Sequence, residues 1–317
     1  MVKRMFGKNK RLRLLLCCLI FLGFISSILL NTKPIQAIDD FGSIEAVELT
    51  VLVDNYPNGT LQNPWGFSML IETSNYTILF DTGSDPNALG NNSIALGKDL
   101  STVDYVVISH EHWDHTYGLE YVAEINPGVT VYIPSYMATM VKTEIINLSF
   151  NVVEIHPTTI LSPGIAIIGE LWGPPYEQAL ALNIANVGAV IIVGCSHPGV
   201  ENHVERAVTA LEVDPYLVIG GFHMTAASES EIAATTTALI ELGVEHIYPT
   251  HCCGDEIRDY ISENYPNYYG EGCVGTHLVI DQSLATAENP VNILTIVLTI
   301  IIMPIVYKWI QSKKRRD

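Results

Sequence analysis

Apolar and polar positions along the chain change rhythm several times. Ala46–Val53, Phe67–Thr73 and Tyr76–Phe80 are short blocks of β-forming residues, the last two flanking Ser74-Asn75, and they predict strands with a hairpin between them. Further on, strand-like blocks alternate with helical spacing: helix Asn87–Leu96, strand Tyr105–Ser109, helix His115–Ile125, strand Val129–Ile133 and helix Tyr136–Ile146. A second strand-rich stretch, Ile165–Gly169, Ala179–Ile184 and Ala189–Val193, leads into helix Val200–Leu211, strand Leu217–Gly220, helix Glu229–Leu242, strand His246–Pro249 and helix Asp255–Tyr265. A closing strand is predicted near Thr276–Ile280. Strands followed by strand–helix repeats, twice over, predict an α/β fold: an αββα sandwich with helices outside two central sheets and strand-end loops gathered along one edge.

The two ends follow a different pattern. Lys3, Arg4, Lys8, Lys10, Arg11 and Arg13 precede the apolar run Leu14–Leu30 and then Ile35-Gln36-Ala37. Basic, apolar and small-residue segments in that order predict a signal peptide over residues 1–37, or an uncleaved signal anchor. Val291–Tyr307 is apolar apart from Asn292 and two threonines, and Lys308, Lys313, Lys314, Arg315 and Arg316 follow. This predicts a transmembrane helix over 290–307 and a basic cytoplasmic tail over 308–317. Residues 38–289 are then expected to form an extracytoplasmic domain at the cell membrane, tethered by its own C-terminal helix.

Setting the two ends aside changes the charge. Four basic residues (Lys98, Lys142, Arg206 and Arg258) remain against 33 acidic ones, a net charge of −29 where the whole chain has −18. Such a field repels nucleic acid and argues against a DNA- or RNA-processing role, leaving a small-molecule substrate as the expected partner. Four cysteines remain as well: Cys195, Cys252, Cys253 and Cys273. An exterior location would allow a Cys253–Cys273 disulfide, one of three possible pairing schemes.

The strand ends concentrate the chemistry. Strand Tyr105–Ser109 runs into His110-Glu111-His112-Trp113-Asp114-His115, Ala189–Val193 into Gly194-Cys195-Ser196-His197, Leu217–Gly220 into Gly221-Phe222-His223, and His246–Pro249 into Thr250-His251-Cys252-Cys253. Six of the ten histidines therefore stand at four strand ends. Residues two apart in extended chain point the same way, so His110 and His112 can grip one ion while the following turn aims Asp114 and His115 at a second. Imidazole and carboxylate are Zn²⁺ donors; Mn²⁺ or Fe²⁺ accept the same set.

The His-x-His-x-Asp-His pattern of His110–His115, with Asp81-Thr82-Gly83 upstream and single histidines at later strand ends, resembles the metallo-β-lactamase superfamily. The runs Val51–Asn55, Gly66-Phe67-Ser68, Gly194–Gly199, Gly220–His223 and Pro249–Cys252 are similar to the branch related to dihydropterin ribofuranosylaminobenzene-phosphate synthase. The resemblance covers about residues 45–281. It implies that His110, His112 and His197 hold a first metal and Asp114, His115 and His251 a second. Many members carry a bridging Asp where this chain has His223, which is either a ligand or a substrate contact. Asp81 is a candidate to orient a ligand, and Cys195 a further candidate near the metals. Asn63-Pro64-Trp65 departs from the charged pair expected before Gly66-Phe67-Ser68.

Two divalent ions lower the pKa of water and polarise a scissile carbonyl or phosphoryl group. The expected function is a metal-dependent hydrolase of ester, lactone or phosphodiester bonds, with Asp114 both ligand and catalytic proton acceptor. The resemblance also implies an alternative, a transferase joining an arylamine to a pterin methyl carbon. A third reading is a non-catalytic metal-binding or sensing module in which Cys195, Cys252 and His223 close the open positions.

Overall fold

The computed structural model describes residues 41–284. The expected leader, C-terminal helix and basic tail lie outside them. Among the described residues no helix is long and apolar enough to cross a membrane.

Two sheets form the centre. The first has seven strands in the order β13-β1-β2-β3-β4-β5-β6: His277–Asp281, Ala46–Val53, Ser68–Thr73, Thr77–Phe80, Tyr105–Val107, Thr130–Pro134 and Asn151–Ile155. The second has six in the order β12-β11-β10-β9-β8-β7: His246–Thr250, Pro215–Gly221, Gly188–Val193, Tyr176–Ile184, Ile165–Trp172 and Thr159–Ser162. Strands β3 to β6 are parallel, as are β10 to β12. Their C-terminal ends therefore point to one edge in each sheet.

Alternation assigns the faces. Leu49, Met69, Ile71, Ile78, Phe80 and Val107 of the first sheet meet Ile167, Leu180, Leu182, Val190, Ile192 and Ile219 of the second in one buried core. Residues of opposite parity, Leu52, Leu70, Leu79, Val106 and Val131, face outward under helices α1 (Pro86–Ala95), α3 (Leu119–Ile125) and α4 (Thr139–Asn147). Helix α5 (Val200–Leu211) covers the second sheet through Val200, Val204, Ala207 and Leu211, with α6 (Glu229–Glu241) and α7 (Asp255–Asn264) beside it. Removing these side chains from water is the main stabilisation, at about 25 cal/mol per Å² of apolar surface.

The elements depart from the sequence pattern in three places. The predicted helix His115–Ile125 is two pieces, α2 (Trp113–Thr116) and α3. The carbonyl of His115 accepts from the backbone N–H and hydroxyl of Thr82, at 2.8 and 2.9 Å, instead of continuing the helix. Gly118 sits so close that a Cβ there would lie 1.9 Å from the Thr82 carbonyl oxygen. Helix α4 begins at Thr139 rather than Tyr136, because Tyr136 N–H donates to Glu170 and Ala138 N–H to Glu111. Strands β6 and β7 are additional, short and half-exposed along the sheet edges. The Cys253–Cys273 disulfide is not formed: all four of these cysteines are free, and Cys253 Sγ instead accepts from Phe222 N–H and donates to the Gly220 carbonyl.

Candidate metal centre

The strand ends bring six donors together in two triads. His110, His112 and His197 place ring nitrogens within 4.8 Å of one another, and so do the ligand atoms of Asp114, His115 and His251. His110 Nε2 lies 3.1 Å from His112 Nδ1, and Asp114 Oδ2 lies 3.3 Å from His251 Nε2 and 3.8 Å from His115 Nε2. The rings of His110 and His115, 4.1 Å apart, join the triads into one cluster.

Buried acceptors behind the rings decide which nitrogen faces inward. Asp81 Oδ2 accepts from His115 Nδ1 and from Ser109 Oγ, both at 2.7 Å, while Oδ1 accepts from Ser109 N–H at 2.7 Å. With its proton given to Asp81, the Ser109 hydroxyl accepts from His110 Nδ1 at 2.8 Å. Glu177 Oε2 accepts from His197 Nδ1 and His197 N–H at 2.9 Å, and Oε1 from the N–H groups of Cys195 and Ser196 at 2.7 and 2.8 Å. Asn55 Oδ1 accepts from His251 Nδ1 at 2.9 Å; its orientation is set by its amide donating to the His251 carbonyl. Each of these four rings thus donates through Nδ1 and turns Nε2 inward, the nitrogen that a metal would take. Sequence reasoning weighed Asp81 as an orienter and missed Glu177, Asn55 and Asp54, the last accepting from His251 N–H at 3.0 Å. The polar pair Glu177-Gln178 opening an apolar strand was the available signal.

Trp65 is the other residue missed. Its indole N–H donates to Asp114 Oδ2 at 2.8 Å and its ring lies 4.9 Å from that of His251. The departure at Asn63-Pro64-Trp65 therefore sets an indole where it holds one ligand oxygen.

The backbone carries strain at the same places. Of seven non-glycine residues with positive φ among the described residues, Asp81, Ser196, His223 and His251 belong to the site. Each such conformation costs on the order of 1–3 kcal/mol and persists only where surrounding contacts enforce it. Gly194 is required for close approach: a Cβ there would lie 2.1 Å from Ser109 Oγ.

Electrostatics follow from burial. Burial and the neighbouring imidazoles push His110 well below its ordinary value, and burial likewise lowers His112, so both offer lone pairs. Burial opposes protonation of His115 as well, but the Asp81 carboxylate overrides it and raises this ring to about 9. Burial would raise Asp114, yet the imidazoles of His251 and His115 outweigh it and hold the carboxyl well below the usual range.

Cys195, Cys252 and His223 stand around the triads. Cys195 Sγ lies 3.2 Å from His115 Nε2, and the ligand atoms of Cys195, His251 and Cys252 are within 4.8 Å of one another, as are those of Cys195, His197 and His223. His223, exposed on one side, packs its ring 4.4 Å from His197.

The donor set fits divalent metal. His251 Nε2 is buried and has no hydrogen-bond partner among the described residues, a costly orphan unless a cation takes its lone pair. The 3.1 Å between His110 Nε2 and His112 Nδ1 is close to the edge, about 3.3 Å, of a tetrahedron of nitrogens around Zn²⁺. A cavity of about 720 Å³ opens onto the cluster between Trp65, His197, Phe222, His223 and Cys252. Among the described residues no lysine or arginine lines it, whereas Glu201 and Glu231 do. Lys98 and Lys142 pair with Glu72 and Glu154, and Arg258 is buried on backbone carbonyls.

The sequence profile of the metallo-beta-lactamase superfamily matches residues 66–192, from the Trp65 loop through β10. The chain carries a metallo-beta-lactamase domain. It is 27% identical over 276 residues to the 7,8-dihydropterin-6-methyl-4-(beta-D-ribofuranosyl)-aminobenzene-5'-phosphate synthase of Methanocaldococcus jannaschii, covering 71% of this chain and 94% of that one. An uncharacterized protein of the same organism is 26% identical over 258 residues, covering 70% and 96%. Among solved structures the domain is similar to a metal-dependent hydrolase of the beta-lactamase superfamily, with a TM-score of 0.65 and 23% identity over 74% of this chain and 99% of that one. It also resembles the metallo-beta-lactamase fold protein YhfI of Bacillus subtilis, with a TM-score of 0.57 and 14% identity over 74% and 100%. At these identities the structures speak for the fold alone, which is the expected two-sheet α/β architecture.

Proposed function

We propose that the metallo-beta-lactamase domain is a di-metal hydrolase of a small molecule with an ester, lactone or phosphodiester bond, working on the outer side of the cell membrane. The observation that supports this reading most is the pair of triads whose inward lone pairs are fixed by buried acceptors beside an open cavity. His110, His112 and His197 would hold one ion and Asp114, His115 and His251 the other, Zn²⁺ in first place, with Mn²⁺ or Fe²⁺ as alternatives. When bound, paired divalent ions supply an activated water and a polarised scissile bond.

The protein's own groups do the rest. Asp81, Glu177 and Asn55 hold the rings in one tautomer and orientation, so little reorganisation is needed during reaction. Asp114 has too little proton affinity for an efficient general base at neutral pH and serves as an ionised ligand steadied by Trp65. His223, raised by its hydrogen bond to Cys252, reaches the cavity beside His197 and is placed to contact substrate or to donate a proton to a leaving group. With no lysine or arginine among the described residues of the cavity wall, and with Glu201 and Glu231 in it, a polyphosphate substrate would find few cationic partners there beyond His223. An uncharged or singly charged bond suits it better.

The relation to the methanopterin-type synthase favours a transferase as the second reading. The discriminating experiment loads the full chain with Zn²⁺ or Mn²⁺ and offers phosphodiester, lactone and carboxylic ester substrates. Turnover that His110→Ala abolishes supports the hydrolase. A fully metallated protein without turnover on the panel removes it and leaves the transferase and the non-catalytic module.

A further inference from the structure

A second cavity, of about 330 Å³, is lined by His112 together with Glu111, Tyr136, Trp172, Pro175 and Tyr176. Its wall is aromatic. Tyr136 and Tyr176 stack with centroids 4.8 Å and planes 29° apart, and Trp172 leans on Tyr176 at 4.8 Å and 54°. Yet Trp172 is 62% and Tyr136 59% exposed, so these rings keep open faces toward solvent instead of filling a core.

The wall is tied to the metal triads from both sides. Trp172 and Tyr176 face each other across the β8–β9 turn, whose Gly173 lies so near the His197–Pro198 peptide that a Cβ would sit 2.3 Å from the Pro198 nitrogen. Tyr176 directly precedes Glu177, the acceptor of His197 Nδ1. Tyr136 is fixed by its N–H to Glu170 at 3.0 Å, and Ser135 Oγ donates to the same buried carboxylate at 2.6 Å. Ala138 N–H donates to Glu111, which stands between His110 and His112 in the chain. The rings are thus held in register with the triads, as a recognition surface for part of a substrate must be.

We propose that this wall is an aromatic subsite: it receives a planar aromatic group, uncharged or cationic, that the substrate carries beside the bond presented to the triads. This rests on the hydrolase reading for the substrate's other half, while the subsite itself stands on the wall alone. Offset ring stacking is the contact that flat open faces offer. Among the described residues the wall has no lysine or arginine, and it includes the Glu111 carboxylate, which disfavours an anionic group. The volume, at the lower end for small-molecule sites, suits one or two fused rings.

The test titrates 2-naphthol and its saturated counterpart decahydro-2-naphthol into the full-length chain in lipid nanodiscs, with empty discs subtracted, by calorimetry, with and without Zn²⁺. The wild type is expected to bind the aromatic alcohol about tenfold tighter than the saturated one. Trp172→Ala and Tyr136→Ala, both at exposed positions, are expected to erase that preference, and Trp172→Phe to keep most of it. Equal affinities in the wild type, or a preference that survives both alanine variants, would overturn the subsite. Absence of turnover on the substrate panel together with an intact naphthol preference would remove the hydrolase reading and leave the subsite standing.

Discussion

Glu177→Gln is the sharpest perturbation of the site's architecture. Two carboxylate oxygens accept four protons: from Cys195 and Ser196 N–H on one side, and from His197 N–H and Nδ1 on the other. An amide has one acceptor oxygen. Whichever way the substituted side chain turns, its NH₂ faces two donors, and two buried N–H groups lose their partner. Each orphaned donor costs about 1–3 kcal/mol, so the metal-free protein should lose about 2–6 kcal/mol, a large fraction of a typical domain's 5–15 kcal/mol. The same change frees His197 to rotate or swap tautomer whenever the amide nitrogen faces it, and loss of such an orienting partner lowers metal affinity about 10- to 100-fold. Urea unfolding of the metal-free protein and Zn²⁺ competition against a chromophoric chelator read the two effects separately. A stability loss below 1 kcal/mol with wild-type affinity would refute the claim that Glu177 sets the His197 loop.

Further expectations follow from neighbouring contacts. Trp65→Phe removes the indole hydrogen bond to Asp114 and should weaken one of two Zn²⁺ equivalents about tenfold or more, leaving the other within twofold; equal weakening of both would show that Trp65 acts on the fold instead. The raised His115 predicts a pH slope for the metal-free protein. Its folded pKa of about 9 exceeds the unfolded value near 6.5, so the stabilisation is complete below about pH 6.5 and drains away toward pH 9. Melting temperatures across that window should fall in the wild type and flatten in Asp81→Asn; an unchanged slope in the variant rejects Asp81 as the cause. Gly118→Ala places a Cβ against the Thr82 carbonyl and should destabilise by about 1–3 kcal/mol or more, measured by the same unfolding assay, because the atom it meets at 1.9 Å is backbone rather than the end of a flexible side chain.

The metal donors were legible in the sequence for a physical reason. Metal chemistry demands particular residue types, and the turn after β4 must deliver four of them within six positions, His110 to His115, so the requirement is written locally. The αββα layering was legible too, since a strand-rich stretch followed by strand–helix repeats occurs twice along the chain. The supporting acceptors were hidden because nothing local marks them. Glu177 reaches His197 from 20 residues away, and Asn55 reaches His251 across 196. Such partners are set by sheet packing. The break in helix His115–Ile125 was equally non-local, since it depends on Thr82 taking the His115 carbonyl. Trp65 stood out as unusual, but only the folded chain shows its N–H on Asp114.

The central claim is a two-ion centre divided between two triads, and metal stoichiometry tests it most directly. Elemental analysis of the purified full chain after Zn²⁺ loading and desalting should give two equivalents for the wild type and one each for His197→Ala and His251→Ala. A wild type that retains fewer than two, or single variants that still retain both, would contradict the assignment.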